Sequence, residues 1–327
     1  MEKGLNIREL TEKKEHELLS PYAKKSDESL GRPEPEESDS IRTCFAKDKD
    51  KIIHSHALRR EKDKTQVFIL PQNDHIMNRL THTLEVVQVA ETLAKALNLN
   101  MELTQAIAFG HDTAHTCFGH AGERALNNLS KHGYNHALEA ERRLNVISGL
   151  NLTKEVIDGI TKHSGISNTP RAITLEGQII PWADKFAYLT SDMENAISMG
   201  IIKDIPEETK IHLGTTKSEI LTTLITSVIN ASYGKDKVVM EDDTYEYFVK
   251  FREFNFNEIY YNPALIEENK KGEFIIEYLY GHYINNPERL GQEHLSEDEY
   301  ERYVVDYIAG MTDKYALNKF LAFSEHQ

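Results

Sequence analysis

Phe109-Gly110-His111-Asp112-Thr113-Ala114-His115 is the stretch on which the reading of this chain turns. An imidazole and a carboxylate in adjacent positions can bind one divalent metal from a single helix, while two distant helices close the site. His82 upstream and Asp184 downstream are the natural partners. Imidazole nitrogen and carboxylate oxygen together suit Mn, Fe, Ni, Co, Zn or, less comfortably, Mg, and two His with two Asp leave coordination positions for water and a substrate oxygen. An open metal position is what a hydrolase needs, so the stretch points to hydrolysis at phosphorus.

The flanks read as helix. Leu80, Leu84, Val87 and Leu97 fall on one stripe up to Asn98, and Thr104 caps a short helix through Ile107 and Ala108 to the His-Asp pair. Ala121 to Ser130 reads as the next helix, with Gly133 following its end, then Asn135 to Ile147, then one that opens at Thr153 and finishes near His163-Ser164-Gly165. Leu175, Ile179, Trp182, Phe186, Leu189, Met193 and Ile197 mark a long helix closed by Gly200, with Pro181 as a candidate kink. Residues 221–229, 245–259, 274–283 and 299–311 follow the same period, and strand candidates such as Val238-Val239-Met240 are brief. The fold class is all-α. Residues 11–50 are polar and charge-rich around Glu34-Pro35-Glu36-Glu37 and read as an extended arm.

Composition bounds the partners. A chain of 327 residues with 39% hydrophobic residues can bury a real core. Fifty-three acidic against 38 basic residues give a net charge of −15, which argues against broad electrostatic capture of nucleic acid; single-stranded nucleic acid is left open as a partner but is not indicated by the charge. Cys44 and Cys117 are the only cysteines, and no signal-like or membrane-length apolar run occurs, so the expectation is a reduced, cytoplasmic protein with no membrane association.

Asp184, Tyr188 and Asp192 recur at four-residue intervals and so share one helical face, with Lys185 beside it. That face is either an ordinary polar stripe or a site offering a metal ligand, a phenol, a second carboxylate and an ammonium. Arg79 lies three residues before His82, and is either a solvated charge or a grip for a phosphate oxygen. In Gly119-His120-Ala121-Gly122-Glu123, a helix starting near His120 places Glu123 one turn on, either to orient the imidazole as a general base or to cap the helix. Cys117 reads as a small packing residue.

Several ordered motifs resemble the HD-domain superfamily, and within it the bacterial deoxyguanosine triphosphate triphosphohydrolases and related deoxynucleotide triphosphohydrolases. The resemblance runs from Ser20-Pro21-Tyr22-Ala23 through Lys64-Thr65-Gln66-Val67-Phe68, Asn78-Arg79-Leu80-Thr81-His82 and the His-Asp and Gly-His-Ala-Gly-Glu segments. It continues through Ala183-Asp184-Lys185 to Asp306-Tyr307-Ile308-Ala309-Gly310-Met311-Thr312-Asp313. It implies an HD helical core over residues 75–200 within a single unit spanning 1–327. Residues 1–50 would be the N-terminal arm, and 201–327 a C-terminal helical region completing the pocket and oligomer contacts.

By the same resemblance His82, His111, Asp112 and Asp184 hold one divalent metal, with Mn or Mg foremost, and His120 with Glu123 stands at the attacking water. Arg79, Lys185 and Tyr188 would hold a triphosphate, Gln66 and Asp192 would read the sugar 3′-hydroxyl, and His115 would sit near the α-phosphate. The implied reaction converts a deoxynucleoside triphosphate, dGTP foremost, to deoxynucleoside and tripolyphosphate. A homo-oligomer, hexamer or tetramer, is implied too, and an allosteric nucleotide is left open. The chain departs from the family pattern at Thr113-Ala114, Cys117 and Glu61. Two rivals remain: an HD phosphodiesterase acting on a cyclic nucleotide or guanosine alarmone, for which His136 and His163 lie where a second metal would find ligands, and a non-catalytic nucleotide or single-strand binding protein.

Overall fold

The apolar spacing builds helices and nothing else: the computed structural model describes residues 6–69, 73, 75–165 and 170–324, and among these are fifteen α-helices and no β-strand. They are α1 (Ile7–Leu18), α2 (Cys44–Ile53), α3 (His56–Arg60), α4 (Arg79–Ala96), α5 (Met101–Gly110), α6 (Gly119–Leu129), α7 (His136–Glu141) and α8 (Lys154–Thr161). There follow α9 (Leu175–Ser198), α10 (Glu207–His212), α11 (Lys217–Ser232), α12 (Asp242–Asn255), α13 (Pro263–Asn285), α14 (Glu297–Ala309) and α15 (Asp313–Ser324). A π-helical segment, Arg142–Ile147, extends α7, and a second, Phe256–Tyr260, extends α12. No helix among the described residues is long and apolar enough to cross a membrane.

The centre is α9. Ile179, Ile180, Ala183, Phe186 and Leu189 have no exposed surface, and the helix packs against α4, α5, α8 and α11. Burying one such large side chain contributes about 1.5–3 kcal/mol. Helix α5 is mostly apolar and buries Leu103, Ala106, Ile107 and Ala108 while packing against α2, α4, α8 and α9, as a helix with a broad apolar face requires. A second cluster joins α6, α13, α14 and α15 around Phe118, Leu126, Ile276 and Val304. The cavity described below lies at the junction of the two clusters.

Four expectations change. Residues 11–50 do not form an extended arm throughout: α1 and α2 lie there, and α2 buries Phe45, Ala46 and Ile52 against α5. The apolar positions of α2 are hidden among charges, one of which, Asp48, is buried by pairing with Arg32 and by accepting from Thr153. Residues 19–25 and 29–43, which include Glu34-Pro35-Glu36-Glu37, lack regular structure. Leu84 is exposed, and the buried face of α4 runs through His82, Thr83, Val86, Val87 and Ala90. The cap of α5 is Asn100, while Thr104 is buried within the helix and donates back to the Asn100 carbonyl. Val238-Val239-Met240 lacks regular structure and pairs with no strand among the described residues; Ser232 Oγ instead accepts from the Val239 N–H and donates to its carbonyl, both at 2.9 Å.

Candidate metal centre and substrate cavity

The start of α4 is fixed by a capping box in which Asn78 and Thr81 bond each other's backbone N–H, so Arg79 and His82 stand one turn apart. The end of α5 approaches α8 so closely that a Cβ on Gly110 would meet Ile160 Cδ1 at 2.4 Å, which seats the adjacent His111 and Asp112 against the core. Phe118 and Gly119 then take left-handed conformations, with φ of 60° and 54°. A bulky residue in that region costs about 1–3 kcal/mol; the Phe118 N–H donates to Asp313 Oδ1 at 2.8 Å and its ring is buried in the second cluster, which holds the turn. The turn aims the first residues of α6 into the cavity.

His82, His111, Asp112 and Asp184 come together from three helical segments. His82 Nε2 lies 3.1 Å from Asp184 Oδ1 and 3.7 Å from Asp112 Oδ2, and His111 Nε2 lies 3.5 Å from Asp112 Oδ2 and 3.9 Å from Asp184 Oδ1. His111 Nδ1 donates to the Ala108 carbonyl at 2.7 Å, which leaves Nε2 as a buried acceptor with no protein partner. A lone pair buried without a donor is costly, and a ring held this way through its other nitrogen is how metal-ligating imidazoles are oriented. Donors spaced about 3–4 Å apart surround a single ion at bond lengths of roughly 2.0–2.2 Å. The residues present therefore fit a divalent metal. Burial lowers the pKa of His111. Burial opposes ionisation of Asp112, yet His111 and Arg79 hold it well below the usual carboxylate range.

Arg79 is buried, not a solvated charge. Its Nη1 donates to Asp112 Oδ2 at 2.5 Å and its Nη2 to the Thr65 carbonyl at 3.1 Å. Glu61, where the family pattern has an apolar residue, is buried beneath this pair and accepts from Thr83 Oγ1 at 2.7 Å. Thr113, Ala114 and Cys117 are all buried, and burial pushes the Cys117 thiol pKa up, so it is a packing residue.

His120 is the second residue of α6, and its Nδ1 donates to Glu123 Oε2 at 3.0 Å. Glu123 lies beyond the capping positions of α6 and does not cap it. Its other oxygen accepts from both the backbone N–H and Nδ1 of His136 at 2.8 Å. Burial acts to raise the Glu123 pKa, but His120 and His136 together bring it far below the usual carboxylate range. His115 stacks on His136 with ring centroids 4.0 Å apart; burial and then Arg79 hold it neutral.

Asp112, Asp184, His120, Glu123 and His136 line a cavity of about 800 Å³, within the usual range for small-molecule sites. Gln66, Arg79, His115, Lys185, Tyr188 and Asp192 all face it. Lys185 Nζ donates to the Ser164 carbonyl at 3.0 Å. Asp192 is buried with Oδ2 accepting from the Tyr260 hydroxyl at 2.7 Å, and burial raises its pKa to about 7. Among the described residues, neither Asp192 Oδ1 nor the buried Gln66 Oε1 has a partner. Sequence reasoning missed Arg252, Phe256 and Tyr260, which close the far wall, with Arg252 stacked on Phe256 at 4.8 Å and beside the Tyr188 hydroxyl. The one signal was a lone arginine among Phe248, Phe251 and Phe254.

A helical core closing on an adjacent His-Asp pair is the hallmark of an HD domain, and the HD domain family model matches residues 79–189. A phosphohydrolase-associated domain matches residues 238–321, the part that supplies Arg252 and Tyr260. A deoxyguanosinetriphosphate triphosphohydrolase-like protein of Caldanaerobacter subterraneus subsp. tengcongensis is 45% identical over 325 residues, 97% of this chain and 95% of that one. Another from Clostridium perfringens is 45% identical over 332 residues, 97% of each. Among solved structures, a hypothetical protein from Aquifex aeolicus aligns with a TM-score of 0.48 at 16% identity, covering 83% of this chain and 67% of that one. The chain belongs to the deoxyguanosinetriphosphate triphosphohydrolase-like family of HD-domain phosphohydrolases.

Proposed function

We propose that this protein hydrolyses deoxynucleoside triphosphates to the deoxynucleoside and tripolyphosphate, using His82, His111, Asp112 and Asp184 to hold one divalent metal. The observation that carries the reading is what one cavity brings together: Asp112 and Asp184 of the His-Asp cluster, His120 with Glu123, and Lys185, Arg252 and Tyr188 all line it. Among the described residues neither Lys185 nor Arg252 is paired with a carboxylate, so both cations are available to an anionic chain of phosphates. When bound, the metal supplies a Lewis acid at the α-phosphate. His120, oriented through Nδ1 by Glu123, presents Nε2 to take a proton from the attacking water. His115, held neutral, donates a hydrogen bond from its ring N–H to the α-phosphate or gives that proton to the departing 5′-oxygen.

On the sugar side, Asp192 Oδ1 and Gln66 Oε1 are buried acceptors lacking donors, which a 3′-hydroxyl would satisfy. dGTP is the first substrate to supply, in view of what the relatives are named for, and Mn and Mg are the first metals to supply. The test is hydrolysis in ¹⁸O-labelled water with product chromatography. Attack at the α-phosphorus puts the label in tripolyphosphate and none in the nucleoside. Label in a monophosphate or in inorganic phosphate means a different reaction.

A further inference from the structure

We infer that Asp313 is a positioning residue for the hydrolysis: from outside the cavity, its carboxylate ties the Thr65–Gln66 segment to the Phe118–Gly119 turn and so sets where His120 stands. This role deepens the reading above and rests on it, since it supplies the support for the base assigned there.

The stretch from Asp306 to Asp313 contributes no side chain to the cavity wall. Asp313 is nonetheless buried, and its two oxygens reach the two segments that carry Gln66 and His120. Oδ1 accepts from the Phe118 N–H at 2.8 Å, and Oδ2 accepts from the Thr65 N–H at 3.0 Å and from the Thr65 hydroxyl. These partners lie 195 and 248 residues away along the chain. Asp313 is not needed to cap its own helix, because Thr312 Oγ1 accepts from the Tyr315 N–H at 3.3 Å. Burying a carboxylate costs stability, and burial raises the pKa of this one. A residue serving packing alone would be apolar.

Nothing local fixes the start of α6. Phe118 precedes it in a left-handed conformation and gives it no side-chain cap, so the turn depends on a distant acceptor. On the other side, the Thr65 carbonyl accepts from Arg79 Nη2 at 3.1 Å, and Arg79 in turn holds Asp112. The turn packs directly on this segment: a Cβ on Gly119 would meet the carbonyl oxygens of Gln66 and Thr65 at 3.2 and 3.3 Å. A continuous chain of contacts therefore runs from the His-Asp cluster through Arg79, Thr65 and Asp313 to Phe118, two residues before His120. Lys64 ties the same region together, its buried Nζ donating to the carbonyls of His115 and Ala309 at 2.5 and 2.9 Å.

Asn in place of Asp313 is nearly isosteric but brings one acceptor oxygen where the donors occupy two. Whichever way the amide turns, the N–H of either Phe118 or Thr65 loses its acceptor. A displacement of about 1 Å at a reacting group costs on the order of 10²-fold in rate.

A double-variant cycle on the full chain tests this, with tripolyphosphate release measured at saturating dNTP and with metal content and Tm recorded for each variant. Asp313→Asn should lower kcat by about 10- to 100-fold and move KM by less than about threefold. In the His120→Ala background the same change should cost less than about threefold, because the group it positions is already gone. Support of the fold alone would give the same loss in both backgrounds. Should Asp313→Asn fail to fold, Thr65→Val removes one donor, keeps the shape and repeats the cycle with an expected loss of about 3- to 10-fold. Wild-type kcat in the folded variant, or equal losses in the two backgrounds, overturns the role of Asp313 and leaves the proposed reaction standing. A wild type that releases no tripolyphosphate from any dNTP removes both.

Discussion

Replacing Glu123 by Ala should slow turnover more than replacing His120 by Ala, because one carboxylate holds two imidazoles. Its Oε2 accepts from His120 at 3.0 Å and its Oε1 from the side chain and backbone of His136 at 2.8 Å. Loss of a positioned general base typically lowers kcat by roughly 10²- to 10⁴-fold, so His120→Ala should fall by about 10²- to 10³-fold. A hydrogen bond to a charged group contributes about 1.5–3 kcal/mol. At about 1.4 kcal/mol per tenfold, freeing His136 as well adds a further ~10-fold or more to the Glu123→Ala loss. Glu123→Gln should lie between, since it keeps an acceptor and loses the charge. The double variant should be little slower than Glu123→Ala, because the second change removes a base already disoriented. Neither residue is assigned to the phosphates, so KM should move by no more than about threefold. The assay is tripolyphosphate release at saturating dNTP, followed by ion-exchange chromatography. A Glu123→Ala variant as fast as His120→Ala, or strictly additive losses in the double variant, would refute the reasoning.

Three further outcomes are expected. His82→Ala should weaken metal binding by more than the roughly 10- to 100-fold of an outer-shell change and abolish turnover while the helical circular-dichroism signal survives; full activity with metal retained would remove the site. Asp192→Asn should keep metal but relax selection for a 3′-hydroxyl by about 10-fold or more, the worth of one charged hydrogen bond; an unchanged ratio of deoxy to dideoxy rates would sink that assignment. Glu176 is buried at the start of α9, accepts from the Lys24 and Asn100 backbone N–H groups, and is raised by burial from 4.5 to about 7. The folded state thus holds this proton more tightly than the unfolded chain, so the stabilisation is complete below the unfolded value and is lost as pH rises toward about 7. The loss is about 3 kcal/mol. Thermal melts should show Glu176→Gln with a flatter Tm profile between about pH 5 and 8 than the wild type, and parallel profiles would count against it.

Helix positions and part of the site were legible in the sequence because the forces behind them are local. The period of α9 and the four-residue spacing of Asp184, Tyr188 and Asp192 each involve neighbours within one or two turns. The same locality misled at α2, where three buried apolar side chains among charges give no strong period. What only the tertiary structure decided are the meetings between distant segments. The packing of α4, α5 and α9 brings His82, the His-Asp pair and Asp184 to one point. Likewise, α12 and its π-helical extension carry Arg252 and Tyr260 over the cavity. Nothing along the chain sets the 3.2 Å approach of His136 to His163, because it depends on where α7 and α8 dock, and docking is decided by shape and burial summed over the whole core.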